Sequence, residues 1–174
     1  MAEAPVVHVG EVPSFDAATW HLRVEGAVAN VLRLAWRDVL ALPLVEISAD
    51  MHSSLGWSVF GLRWEGVPVR ALAAACEPTG AARFLLARDA EGYGACIPLE
   101  VALETETLLA LRLHGDPLPP ERGGPLRLVV PSRYTWKSVK WVRSLAFLER
   151  DEPGFWESRG AHPNGDPWRG QRMA

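Results

Sequence analysis

The chain has 174 residues, enough to bury one respectable hydrophobic core but not two full-sized ones. Hydrophobic residues make up 48% of it and charged residues 22%, a balance that excludes a largely disordered chain. The net charge of -3 leaves no global electrostatic pull toward nucleic acid or an anionic membrane, and no apolar run reaches the length of a membrane span. Two cysteines, Cys76 and Cys96, are too few for a disulfide framework or a structural zinc site, and both read as small buried hydrophobes. The start, MAEAPVVHVGEVPSF, has no basic stretch followed by an apolar one, so a cytoplasmic location is expected.

In chain order, residues 1–18 read as an N-terminal extension. TWHLRVEG and NVLRL follow as strands, then AWRDVLAL as a short helix and LVEISA as a strand. MHSSLGWS, residues 51–58, gathers a histidine, two serines, a glycine and a tryptophan between this strand and the next, WSVFGLRW. VPVRALAAAC reads as a helix with Pro68 near its start, where the missing N–H costs nothing. ARFLLARD is a strand, PLEVALE a helix, and TLLALRLHG, GPLRLVVP and SVKWVRSLAFLE are strands. Many strands, a few short helices and no regular strand–helix alternation predict an α+β fold with a mixed, mostly β core in a single domain over 1–174. Residues 151–174 carry Gly, Pro and charges together with Phe155, Trp156 and Trp168, which predicts an ordered loop packed over the body.

Common catalytic signatures are absent. There is no GxSxG elbow, phosphate loop, HExxH, CxxC pair or GxGxxG, and the glycine-rich string GYGACIP lacks the third glycine. The five histidines, at 8, 21, 52, 114 and 162, include no i, i+4 pair, which argues against a histidine metal cage. What stands out is a basic constellation: RGGPLRLVVPSRYTWKSVKWVR holds Arg122, Arg127, Arg133, Lys137, Lys140 and Arg143 among glycines, prolines and tryptophans. Such residues offer charge-assisted donors to a phosphate, and they equally suit solvated strand edges. Composition leaves both readings open.

Four blocks in order, SADMHSSLGWSVFGLRWEGVPVRALA, EGYGACIPLEVAL with LLALRLHGDPLPPERGGPLRLVVP, SRYTWKSVKWVRSLAF, and GFWESRGAHPNGDPW, resemble the sulfite oxidase type of molybdopterin-binding domain. The likeness covers about residues 20–168 and is closest to small, stand-alone bacterial members. It implies the α+β fold of that family, a molybdenum ion held by a pterin dithiolene and one protein thiolate, and oxygen-atom transfer to or from a small oxyanion or S-oxide. A small-molecule substrate and an external electron-transfer partner are implied with it; nucleic acid and a membrane span are not expected.

Carried over onto this chain, the resemblance places Arg127 and Lys140 where members hold the pterin phosphate. Ser138 falls in the loop closing on that group, Arg122 where sulfite oxidases have a histidine, and Lys137 in the same loop. Arg133 and Arg143 read as either anion contacts or surface charges. Tyr93 matches a tyrosine beside the reacting centre, where a phenol can donate to an oxyanion and assist proton movement. His52 is a candidate pterin contact, and Trp57 either walls the pocket or fills the core. One position departs from the family: Ser53 stands where the metal-ligating cysteine belongs. A serine oxygen is a harder donor and releases its proton far less readily than a thiol. Ser54, on a strand, would face away from Ser53, and Cys96, three strand positions past Tyr93, would face away from the tyrosine. The loss of the thiolate supports an alternative, a non-catalytic relative that binds a pterin or another phosphate-bearing ligand.

Overall fold

A computed structural model describes residues 5–174. Alternation in HLRVEG turns Leu22 and Val24 inward and leaves Arg23 and Glu25 toward solvent, the pattern of a strand with one buried face. This is β1 (His21–Gly26). It pairs antiparallel with β2 (Leu32–Ala35) and parallel with β10 (Ser144–Leu148). Beyond β10 lie β5 (Phe84–Arg88) and β6 (Gly94–Pro98), giving a five-stranded sheet in the order β2-β1-β10-β5-β6. The second sheet is antiparallel: β3 (Val45–His52), β4 (Ser58–Pro68) and β7 (Leu108–Leu113) in order. The far edge of β7 is shared by β8 (Asp116–Pro117) and β9 (Arg127–Val129).

β7 explains how the two sheets are joined. Its apolar run is buried on both faces, as a central strand's must be. Leu109 and Leu111 enter the main core with Leu22, Leu85, Leu145 and Phe147 of the first sheet, while Leu108 and Ala110 pack under the second sheet with Met51, Leu62 and Trp64. Helix α2 (Val69–Cys76) closes the main core with Val69, Leu72, Ala73 and Cys76, the i, i+3, i+4, i+7 stripe of an amphipathic helix. The remaining helices, α1 (Trp36–Leu40) and α3 (Leu99–Ala102), are short. This is the α+β, mostly β architecture expected. Both cysteines are buried thiols, as read from the sequence. No helix among the described residues is long and apolar enough to cross a membrane.

Two segments differ from the expected elements. GYGACIP contains β6, a segment that the sequence reads as extended between Tyr93 and Cys96 but that is not counted among the expected strands. Gly94 is required by proximity, since a Cβ there would lie 2.9 Å from the Ala87 carbonyl. SVKWVRSLAFLE is not one strand: only its second half pairs, and Trp141 adopts φ 53 in a loop that follows the 3-10 turn Thr135–Lys137. That loop is where the cations collect. The tail beyond residue 150 packs on the body, with Phe155 N–H donating to the Gly94 carbonyl at 2.8 Å and the Phe155 ring 5.3 Å from that of Tyr93. Trp168 is different: it touches His52 edge-on yet remains 70% exposed.

Candidate functional site

A single cavity of about 560 Å³ brings together segments that are far apart in sequence, a volume suited to a small-molecule cofactor. Its basic wall comes from two loops. The 3-10 turn Pro120–Arg122 ends at Gly123 with φ 106, and β9 begins at Arg127. A Cβ on Gly123 would press on the Lys140 Cγ at 2.9 Å and the Arg127 Cβ at 3.2 Å, so the turn passes between the two cations only because glycine occupies it.

Arg127 is buried, with its guanidinium 5.6 Å from the centroid of the Trp64 ring and one terminal nitrogen donating to the Arg122 carbonyl at 3.0 Å. Burial pulls its pKa down to about 10, with Arg122 adding to the fall and Tyr93 opposing it. Lys140 Nζ donates to the carbonyls of Glu121 at 2.7 Å and Val7 at 2.9 Å. Burial, then Arg127 and Arg122, pull its pKa to about 8 against the opposing pull of Glu121. Ser138 also lines the cavity, but its hydroxyl oxygen accepts the Val130 N–H at 3.0 Å and so shapes the loop.

Ser53 closes β3 and starts a tight turn. Its N–H donates to the Trp57 carbonyl at 2.8 Å, and its side-chain oxygen accepts the Leu55 N–H at 3.1 Å. Because residues 53–57 turn, both Ser53 and Ser54 line the cavity, and the strand-based expectation that Ser54 faces away does not hold. Trp57 lines it too. Tyr93 enters from the first sheet, and its hydroxyl donates to the Trp136 carbonyl at 2.9 Å. Burial, reinforced by the negative charge of Glu157, holds the phenol well above its ordinary range, so it stays protonated at any physiological pH.

Two candidates lie elsewhere. His52 shares a 2.8 Å hydrogen bond with the Ser58 hydroxyl and packs against Trp168 and Phe60; it is not among the cavity-lining residues. Lys137 is fully buried and pairs with Glu157, while also donating to the carbonyls of Cys96 and Pro163. An ammonium has three donors, and all three are used to tie the tail to the body. Arg133 serves the same tie through Asn164 at 3.1 Å, and Arg143 donates to the His21 carbonyl at 3.0 Å. Cys96 does not line the cavity, as its alternation with Tyr93 implies. Sequence reasoning missed Trp64, Trp136 and Arg172 as wall residues. Trp64 lay inside a recognised block, whereas nothing around Arg172 marked it.

Two buried donors, Arg127 Nε and Trp64 Nε1, have no hydrogen-bond partner among the described residues, although both residues line the cavity. Buried polar groups in folded proteins are nearly always paired. A cavity with clustered cations and unmatched donors therefore fits an anionic, acceptor-rich occupant. The family model for the oxidoreductase molybdopterin binding domain matches residues 9–156. The chain belongs to this family.

Among relatives of this molybdopterin-binding domain is the uncharacterized oxidoreductase YuiH of Bacillus subtilis (strain 168). The two are 40% identical over 170 residues, covering 97% of this chain and 86% of YuiH. The protein-methionine-sulfoxide reductase catalytic subunit MsrP of Gluconobacter oxydans (strain 621H) is 30% identical over 161 residues, and the match spans 82% of this chain but 51% of MsrP. Among solved structures, the sulfane dehydrogenase SoxCD from Paracoccus pantotrophus superposes with a TM-score of 0.73 at 24% identity, over 80% of this chain and 40% of that one. That likeness shows the fold. The domain is thus a sulfite oxidase-type, molybdopterin-binding oxidoreductase domain, and it spans about half the length of MsrP.

Proposed function

We propose that this domain carries molybdenum on its molybdopterin and transfers an oxygen atom to or from a small sulfur oxyanion or S-oxide, with electrons exchanged through an external redox partner. The observation that carries the reading is the pair of unmatched buried donors, Arg127 Nε and Trp64 Nε1, on the wall of a cavity that also holds Ser53 and Tyr93. Arg122, Arg127 and Lys140 hold the pterin's phosphate, and the Ser138 loop shapes the backbone around it. When bound, the cofactor supplies the two-electron redox chemistry; the protein supplies anchorage, orientation and electrostatics. In the reducing direction an S-oxide takes up two electrons and two protons and leaves as the sulfide and water. Tyr93, held protonated by burial, turns its hydroxyl from the Trp136 carbonyl to a substrate oxygen and donates a hydrogen bond there.

A second reading rests on Ser53. Its side-chain oxygen is engaged with the Leu55 N–H, and an alcohol is a poor substitute for a thiolate, which favours a domain that holds the pterin without the metal. One experiment separates the two. Protein from a host that makes the cofactor is analysed for molybdenum by mass spectrometry and for pterin by fluorescence, alongside Ser53→Cys. The first reading expects stoichiometric molybdenum in the unmodified protein. The second expects pterin without metal, with metal gained by Ser53→Cys. Neither signal in either protein overturns both.

A further inference from the structure

The family match ends at residue 156, yet Ala161, Arg172 and Met173 line the cavity. The segment past the matched region is therefore part of the site wall. It is firmly placed: Lys137 pairs with Glu157, Asn164 Nδ2 donates to Gln171 Oε1 at 3.0 Å, and Ala161 bridges Met173. The backbone of Arg172 is bonded on both sides, its N–H donating to the Gly170 carbonyl at 2.8 Å and its carbonyl accepting the His162 N–H at 3.2 Å.

The Arg172 side chain is positioned by an aromatic stack. Its Nε donates to the Tyr134 hydroxyl at 3.3 Å, and its guanidinium carbon lies 6.0 Å from the centroid of the Tyr134 ring. Tyr134 stacks on Trp136 with centroids 5.1 Å apart, and the Trp136 carbonyl accepts the Tyr93 hydroxyl. Arg172 and Tyr93 are thus fastened to the same wall. No carboxylate pairs with Arg172 among the described residues, and its two terminal nitrogens have no protein acceptor there. The apolar residues Leu55, Trp156 and Met173 line the same cavity.

We propose that Arg172 is the substrate-recognition residue of this site, its two free terminal nitrogens gripping two oxygens of a sulfur oxyanion, so that anionic substrates are selected over neutral sulfoxides. The fork of a guanidinium matches paired oxygens, and the charge-assisted pair is stronger than a neutral hydrogen bond. The inference rests on the functional reading above. It is distinct from the cluster of Arg122, Arg127 and Lys140, which serves the cofactor.

The test begins with binding, because binding needs neither metal nor turnover. Sulfate is titrated calorimetrically at low ionic strength into the wild-type protein, Arg172→Gln, Arg172→Lys and Lys140→Gln. Arg172→Gln is expected to weaken sulfate binding about tenfold, the worth of a charge-assisted pair, and Arg172→Lys to restore part of it. The same loss in a Lys140→Gln background marks the two cations as separate sites. In loaded enzyme the Michaelis constant for sulfite rises about tenfold with kcat retained, while that for dimethyl sulfoxide stays unchanged. Unchanged sulfate affinity in Arg172→Gln overturns the proposal, and so does loss of pterin from that variant, which would place Arg172 in the cofactor site. If no pterin is found in any variant, the functional reading fails while the sulfate titration still decides the role of Arg172.

Discussion

Lys140 holds its proton below about pH 8 and loses it as the pH rises through that value, because burial and the neighbouring Arg127 and Arg122 outweigh Glu121. An anion on the cluster favours the charged ammonium. Affinity for sulfate, whose charge does not change in this range, is therefore expected to be flat well below pH 8 and to fall as the pH passes it, by about tenfold at pH 9, where roughly a tenth of Lys140 stays protonated. Calorimetric titrations of sulfate at pH 7 and pH 9 measure this directly. Lys140→Arg should flatten the decline between those two points, since an arginine keeps its charge throughout. Tyr93 behaves in the opposite sense: burial of a phenol resists its ionisation, so the hydroxyl stays a donor across the same window.

Among elements, the C-terminal tail is held by one contact above the rest. Lys137 and Glu157 are 0% and 4% exposed, and their pairing fixes the 3-10 turn Thr135–Lys137 against the 3-10 turn Glu157–Arg159. Removing one member of a buried pair strands the other charge. Lys137→Met is expected to cost about 3–5 kcal/mol of stability, read by urea denaturation followed through tryptophan fluorescence. The double variant Lys137→Met with Glu157→Leu should recover part of that loss, because no charge is left stranded, while the Cys96 and Pro163 carbonyls and Trp136 Nε1 still lose their partners. A single variant as stable as the parent would show that the tail is held by its other contacts, among them Arg133 to Asn164 and Arg172 to Tyr134. The same element carries Arg172, so the stability and recognition of the site are built into one segment.

For the whole molecule, the cavity is a property of assembly. The Ser53 turn comes from the second sheet, Tyr93 from the edge of the first, the cations from loops around β9, and part of the rim from the tail. A ligand that binds all of these at once binds only the folded chain. Cofactor loading is therefore expected to raise Tm, by an amount equivalent to about 4 kcal/mol when the cofactor is a thousandfold above its Kd. Differential scanning calorimetry of loaded and cofactor-free protein checks this; coincident melting curves would contradict binding in the cavity.

Periodicity was enough for most of the architecture. Alternation in HLRVEG, the apolar run LLALRL and the amphipathic stripe of α2 each place hydrophobic groups on one or two faces, and burial of those faces is a local demand that a sequence states openly. The order of the four recognised blocks likewise carried the family, and with it Ser53, Arg122, Arg127 and Lys140, which the fold does bring to one cavity. What the pattern did not carry depends on distance across the chain. Lys137 lies in the same basic stretch as Lys140, yet the Glu157 and Pro163 that consume its donors arrive from the tail, so its charge is spent on structure. His52 adjoins Ser53 but leaves the strand on the other side, toward Ser58. Ser54 joins the cavity because the backbone turns there, and Arg172 joins it because the tail folds back over Tyr134. Residue type and spacing decided which side chains must be buried; only tertiary contacts decided which buried charges are paired within the protein and which donors line the cavity without a protein partner, because a partner's identity is not a local property of the chain.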